Sequence, residues 1–280
     1  MRTELAVSER RICRVLGQHR STQRKVPRGA DDEQALHANH ANRIFCLVRT
    51  SHEKRPQFGI RFLLIDMDDP SVEVRLIVSP AGENIQNEEH FHSVRVPKWR
   101  VVGSIGQGWT VAKYLLEFER GGTAYAPELL ERLADIAVQA REPAIGRRGA
   151  VAADPGFQLR LATCLARIMA LEILELQAMS RVAHGGSPGS GASITKIIGT
   201  ELAQQLTELA LECAGPLATG YQPQAGCPGG SVIFPHNKVT VGPVDAALAP
   251  LRYFNQRAGT IYAGSNEIQR NILAKVAFGL

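Results

Sequence analysis

Ile261-Tyr262-Ala263-Gly264-Ser265-Asn266-Glu267-Ile268-Gln269-Arg270-Asn271 opens the last twenty residues of the chain and decides how the rest is read. Ser265 is a good helix N-cap, and Glu267 places a negative charge in the first turn that follows. Ile268, Ile272, Leu273 and Val276 recur at helical spacing, so an apolar stripe and a final helix are expected from Ser265 towards Leu280. The Ala263-Gly264-Ser265 turn lets backbone amides approach a ligand closely, and a helix N-terminus favours phosphate. On periodicity alone, an ordinary capped C-terminal helix without a ligand accounts for the same residues.

Composition sets the frame around this stretch. The chain has 280 residues, 44% hydrophobic and 21% charged, enough to bury one large core or two smaller ones. No apolar run approaches the ~18 residues of a membrane span, so no membrane insertion is expected. Cys13, Cys46, Cys164, Cys213 and Cys227 are scattered and show no metal-ligand spacing, which points to free thiols in a reducing, cytoplasmic compartment. The net charge of +5 is concentrated in residues 1–30, where eight arginines and lysines oppose Glu4 and Glu9. The remainder is close to neutral, which argues against a nucleic-acid partner.

Residues 1–40 carry few apolar residues with no sustained period, and Pro27-Arg28-Gly29 breaks what pattern there is. A disordered basic tail and an Arg-rich transit peptide both fit this composition. From Ala41 the character changes. Arg43–Thr50 and Phe58–Met67 read as strands, Val72–Val78 alternates, and Phe91–Pro97 alternates again until proline stops it. About four strands of a mostly antiparallel sheet are expected over residues 41–103.

After Trp109 the chain reads as helix. Val111, Leu115, Phe118, Gly122, Tyr125, Leu129, Leu133 and Ile136 fall on one face of a single long helix, kinked at Pro127. Asp154-Pro155 opens a second helix running to about His184, and Gly185–Gly191 is a link. Ser193 is expected to cap a third helix that ends at Gly215-Pro216; a shorter helix covers Val244–Gly259. With the final helix this makes five, joined by mostly short links, hence an antiparallel bundle over residues 104–280. The fold class is α+β: an incomplete antiparallel β domain followed by a C-terminal α-helical bundle.

Tyr262–Ile272 resembles the C-terminal signature of the acyl-CoA dehydrogenases, Tyr-Gly-Gly-Thr/Ser-x-Glu/Gln-Ile-Gln-Arg-Asn-Ile. Phe62-Leu63-Leu64-Ile65-Asp66-Met67 and Val94-Arg95-Val96-Pro97 are similar to strands of that family's middle domain. Phe118-Glu119-Arg120, Asp154-Pro155-x-Phe157 and Leu211-Glu212-x-Ala214-Gly215-Pro216 resemble most the bacterial large-subunit type similar to pimeloyl-CoA dehydrogenases. The resemblance covers about residues 41–280. It implies FAD-dependent oxidation of an acyl-CoA to a trans-2-enoyl-CoA: a carboxylate takes the α-proton, flavin N5 takes the β-hydride, and an electron-transfer flavoprotein or similar acceptor reoxidises the flavin. A homo- or hetero-oligomer is implied as well.

Family members place the base either just after the signature tyrosine, where this chain has Ala263, or just before an arginine on the first long helix of the last domain. The second placement gives Glu119 as the base, because Ala263 cannot accept a proton. A solvated Glu-Arg surface pair is the plain alternative for Glu119-Arg120. Glu117 is turned about 200° away from Glu119 on a helix, so only one of them faces a given pocket. By resemblance, Glu117, Phe118 and Arg120 line the acyl-CoA site, and Gly264 meets the thioester end. Ser265, Asn266 and Glu267 bind the FAD pyrophosphate and ribose region, and Glu212 and Gly215 its adenosine half. Glu212 and Pro216 depart from the usual Gln-x-x-Gly-Gly pattern there, and Arg141–Gly146 only weakly echoes the family's Arg-x-x-Phe-Gly.

The family's N-terminal helical domain and its Glu-Pro-Gly-x-Gly-Ser and Trp-Thr/Ser segments have no counterpart here; Asp32–His37 stands where the tryptophan segment is expected. One reading of residues 1–34 is therefore an out-of-frame or fused segment before a truncated member. Two functions of different class follow. One is a flavin-dependent dehydrogenase subunit, and the other is a silent remnant that serves only association.

Overall fold

A computed structural model describes residues 42–82, 86–121, 124–143, 149–186, 189–222, 225 and 240–279, without the side chains of 117–121 and 277. The basic segment before residue 42, Cys13, Cys227, Gly122, Ser187-Pro188, Ala144–Gly146 and most of the loop before Thr240 lie outside the described residues. The chain forms two compact units, Met1–Val78 with Asn84–Leu116 and Ser79–Glu83 with Glu117–Leu280.

In the first unit β1 (Arg43–Arg49) pairs antiparallel with β2 (Ile60–Asp66) from Arg43 opposite Asp66 to Arg49 opposite Ile60. A short β5 (Val101–Val102) pairs with the other edge of β2 at Phe62 and Leu63. The central strand is β2, and its buried Phe62 and Leu64 pack against Val111 and Ala112 of α1 (Gly108–Gly121). Gly108 makes that approach possible: a Cβ there would stand 2.5 Å from the Arg61 carbonyl carbon.

The other strands, β3 (Val72–Ile77) and β4 (Gln86–Phe91), form a separate antiparallel hairpin. The strand expected over Phe91–Pro97 is therefore displaced: only Phe91 belongs to β4, and Ser93 at φ 58° turns the backbone out of the extended region. The hairpin's sequence hid this strand, because Gln86-Asn87-Glu88-Glu89-His90 has no apolar alternation and the strand has no buried residue.

The second unit is helical. Where periodicity predicts one kinked helix, the chain has two, α1 and α2 (Ala126–Gln139). Pro127 does not kink a helix interior; it sits in the first turn of α2, where its missing N–H costs no hydrogen bond. Six α-helices instead of five are thus present among the described residues. For α3 (Pro155–Ala183) the cap is as expected, Asp154 Oδ1 accepting from the Gly156 and Phe157 amides at 2.7 and 3.2 Å. Next, α4 runs Gly191–Ala214, α5 Val244–Gln256 with a 3-10 turn Arg257–Thr260 after it, and α6 Asn266–Phe278.

Leu129, Leu133 and Ile136 of α2, Phe157, Ile168 and Leu171 of α3, and Leu202, Leu206 and Leu209 of α4 form the main core. One sequence expectation fails in α4. Ser193 is not the N-cap of α4; it lies inside the helix, buried, with its hydroxyl bonded to Gln269. In α6 the expected helix forms, with Ile272 and Leu273 half-buried, Ile268 and Val276 more than half exposed, and Asn266 and Gln269 buried. No helix of the described residues is long and apolar enough to cross a membrane.

Helix α3 separates burial from hydrophobicity cleanly. Leu171→Ala removes a side chain with no exposure and should cost about 2–5 kcal/mol, whereas Leu159→Ala, at 69% exposure, should change stability by less than about 0.5 kcal/mol. Denaturant unfolding of the two variants checks this, and equal losses would contradict the described packing.

Candidate active site

Five residues of α4, Lys196-Ile197-Ile198-Gly199-Thr200, hold the two segments that the sequence singles out. Lys196 Nζ donates to Asn266 Oδ1 at 2.8 Å, and the Asn266 amide donates to Thr200 Oγ1 at 3.2 Å. The Thr200 hydroxyl returns to the Lys196 carbonyl at 2.8 Å. One turn further along α6, Gln269 accepts from Ser193 Oγ at 2.8 Å and donates to the Gly264 carbonyl at 3.3 Å. All of these side chains are buried, so the first turn of α6 is fixed to α4 by directional bonds.

The turn before α6 owes its shape to the same contacts. Ala263 and Gly264 both have positive φ, 55° and 86°, and a Cβ on Gly264 would lie 2.6 Å from Gln269 Nε2. Ser265 caps α6 as expected, accepting from the Ile268 amide at 3.4 Å. Ile261, Tyr262, Ala263 and Gly264 stay exposed above the helix end. Burial pushes the Lys196 ammonium below the ordinary lysine range, with Glu267 pulling the other way. Glu267 is held below the usual carboxylate range, first by its own amide and then by the Ser265 hydroxyl.

The other side of the Lys196–Thr200 stretch carries the start of α2. A Cβ on Gly199 would fall 2.4 Å from Tyr125 Cγ, so this position lets the aromatic ring lie directly on the α4 backbone. The Tyr125 and Ala126 amides donate to the two oxygens of Glu175 on α3, at 2.7 and 3.2 Å. Glu175 is buried, and desolvation raises its pKa against the two amide bonds that lower it. Burial also raises the Tyr125 phenol, with the neighbouring Tyr262 and Glu175 adding to it.

The structure therefore brings Gly264, Ser265, Asn266 and Glu267 together at one end of α4. Asn266 is buried in the bundle, Ser265 beside it is half-buried, and Glu267 is exposed. Glu117, Phe118, Glu119 and Arg120 belong to the last turns of α1, and their side chains lie outside the described residues. Glu212 and Gly215 are not part of this cluster. They stand at the opposite end of α4, about 24 Å from Lys196 at 1.5 Å rise per residue, where Glu212 is ion-paired with Arg160 at 2.5 Å.

Sequence reasoning missed Lys196, Thr200, Gln269 and Glu175. A lysine among Ile194, Ile197 and Ile198, and polar residues three apart at Asn266 and Gln269, were the available signals.

Comparison with known proteins gives this arrangement its family. Residues 106–278 match the family model for the acyl-CoA dehydrogenase C-terminal domain. Acyl-CoA dehydrogenase IpdE1 of Mycobacterium tuberculosis is 32% identical over 240 residues, covering 84% of this chain and 54% of that protein. The chain spans about half the length of the curated relatives it matches. Among solved structures, the Tcur3481-Tcur3483 steroid ACAD has a TM-score of 0.66 at 22% identity, covering 87% of this chain and 58% of its own. The ChsE4-ChsE5 complex from Mycobacterium tuberculosis has a TM-score of 0.65 at 23% identity, with 86% and 58% covered. These likenesses carry the fold, and the family model with the IpdE1 match carries the descent: the chain belongs to the acyl-CoA dehydrogenase family.

Proposed function

We propose that this chain serves FAD-dependent α,β-dehydrogenation of an acyl-CoA thioester to the trans-2-enoyl-CoA, with Glu119 as the base. The observation that carries the reading is the convergence of the α6 N-terminus and the start of α2, six residues after Glu119, on Lys196–Thr200. The α6 end suits a nucleotide cofactor on its own chemistry. A helix N-terminus above a buried ammonium favours phosphate, the exposed Ala263-Gly264 turn leaves room for close backbone approach, and Glu267 offers an acceptor to a ribose hydroxyl.

FAD held there would supply the redox chemistry, as acceptor of the β-hydride. Ser265, Asn266 and Glu267 would hold its pyrophosphate and ribose region, and Gly264 would meet the thioester end. Glu119 takes the α-proton onto its carboxylate, while Glu117, Phe118 and Arg120 line the acyl-CoA path. An electron-transfer flavoprotein or similar acceptor is the partner that would take up the electrons. The likeness to a steroid ACAD makes a bulky polycyclic acyl-CoA a substrate to test beside a straight-chain one.

A second reading, an association module without catalysis, is favoured by one specific feature. The outward row Leu159, Met169, Ile173, Leu176 and Met179 of α3 is at least half exposed. Association also fits the enzyme reading as a homo- or hetero-oligomer.

Colour separates the two. The purified chain supplied with FAD should retain flavin absorbance and bleach anaerobically with acyl-CoA; a colourless chain that does not bind FAD overturns the dehydrogenase reading. Glu119→Gln should stay yellow and bleach about 10²–10⁴-fold more slowly, and normal bleaching would remove Glu119 as base. Ile173→Lys should shift sedimentation to a smaller species with far-UV dichroism unchanged. An unaltered sedimentation profile would show that the α3 row is not an interface.

A further inference from the structure

We propose that Lys196 is a positioning residue for the cofactor: its ammonium fixes the first turn of α6 and gives that turn the positive charge that selects the diphosphate of FAD. The inference rests on FAD binding at the α6 N-terminus.

Two helix starts meet the Lys196–Thr200 stretch of α4, and they receive opposite charges. The start of α2, at Tyr125 and Ala126, has the buried carboxylate of Glu175, which the partial positive charge of a helix N-terminus favours. The start of α6 has a buried ammonium. Lys196 Nζ donates to the side chain of Asn266, the first residue of α6, and Thr200 Oγ1 lies 3.3 Å from the same oxygen. A cation at a helix N-terminus is opposed by the helix dipole, and at 3% exposure it is opposed by desolvation as well. Among the described residues no carboxylate comes within ion-pair distance of Nζ, and Asn266 Oδ1 is the one side-chain acceptor for its three N–H groups.

A methionine of similar length would join α4 and α6 at lower cost, so the fold keeps an excess positive charge where an anion could use it. That charge reaches the outer surface of the turn. Glu267, exposed there and held low first by its own amide, is lowered by Lys196 as well, and raises the ammonium in return against desolvation. A diphosphate brings more negative charge to the turn than this single carboxylate does. The other titratable groups around the stretch are Arg270, paired with Glu201; Glu175, held by the two amides; and the Tyr125 and Tyr262 phenols, the first of them raised by burial. Lys196 touches no phosphate in this role and acts through Asn266 and through its field.

The test uses the full chain and FAD itself, with affinity read from flavin fluorescence at constant ionic strength. Lys196→Met should bind FAD about tenfold more weakly at neutral pH, with far-UV dichroism unchanged. The wild-type chain supplies the second reading. A diphosphate favours the protonated lysine, so affinity is full below the Lys196 midpoint of the free chain and lost as pH rises through it, a midpoint below the ordinary lysine value of about 10.4. Lys196→Met should show no such loss. A neutral amine still donates to Asn266, so a purely structural tie between α4 and α6 gives the same pH profile in both chains. That result, or equal affinity in the two chains at neutral pH, overturns the proposal.

Should Lys196→Met fail to fold, the wild-type chain decides alone. With ¹³Cε-labelled lysine, one resonance should titrate below the rest, and FAD affinity should fall with that midpoint; an affinity that does not follow it overturns the proposal. A wild-type chain that binds no FAD at any pH removes the dehydrogenase reading and this inference with it, whereas a yellow chain indifferent to Lys196 removes only the positioning role.

Discussion

A buried ammonium bonded to a buried side-chain amide, Lys196 to Asn266, is the contact on which the C-terminal part of this protein depends. Burial lowers the lysine's pKa, so the charge is present at a cost. Apolar contact would have joined α4 and α6 at lower cost, but apolar contact is non-directional and tolerates sliding by a turn. The Lys196, Thr200 and Ser193 side chains meet Asn266 and Gln269 in only one register. Helix α6 has thus exchanged an apolar inner face for a specified position of its first turn. The exposed Tyr262–Gly264 segment inherits that position through the Gln269 bond to the Gly264 carbonyl.

The same stretch of α4 serves its second neighbour by having almost no side chain. At Gly199 the ring of Tyr125 lies against backbone, one helical turn from Lys196. Two elements that are more than a hundred residues apart in sequence, the start of α2 and the start of α6, therefore share one reference. A shift of α4 along its axis would move both together. This makes the α4 stretch the frame of the proposed site, although none of its residues belongs to the signature that first identified the family.

What could be read from sequence divides along the same line. The N-caps at Asp154 and Ser265 were legible because a cap is a local bond, made within three residues of its own position. The break between α1 and α2 was not, since Val111 through Ile136 keeps a helical period across it and the period does not register where the backbone stops being helical. Ser193 looked like a cap because serine caps helices more often than it pairs with a buried glutamine 76 residues away. The stripe of Ile268, Ile272, Leu273 and Val276 marked the helix but not its buried contacts, since the most deeply buried side chains of α6 are the amides Asn266 and Gln269. The signature itself was legible as a family resemblance, and its residues do gather at one helix end. Glu212 and Gly215, drawn from the same resemblance for a different part of the cofactor, lie at the far end of α4, as the predicted end of that helix at Gly215-Pro216 implies.

Capping shows most clearly why part of the site is a tertiary property. An aspartate or serine at a helix start satisfies the free amides whatever the rest of the protein does, so its presence says little about position in space. Among the described residues α2 has no such cap, and its Tyr125 and Ala126 amides are satisfied by Glu175 of α3. The helix start and the bundle core consequently form together, and the desolvated carboxylate is tolerable only in the assembled state. The start of α2 is thereby joined to the deeply packed pair of helices, Phe157, Ile168 and Leu171 of α3 against Leu202 and Leu206 of α4. The rigidity of that helix start is imported from the core through two backbone amides.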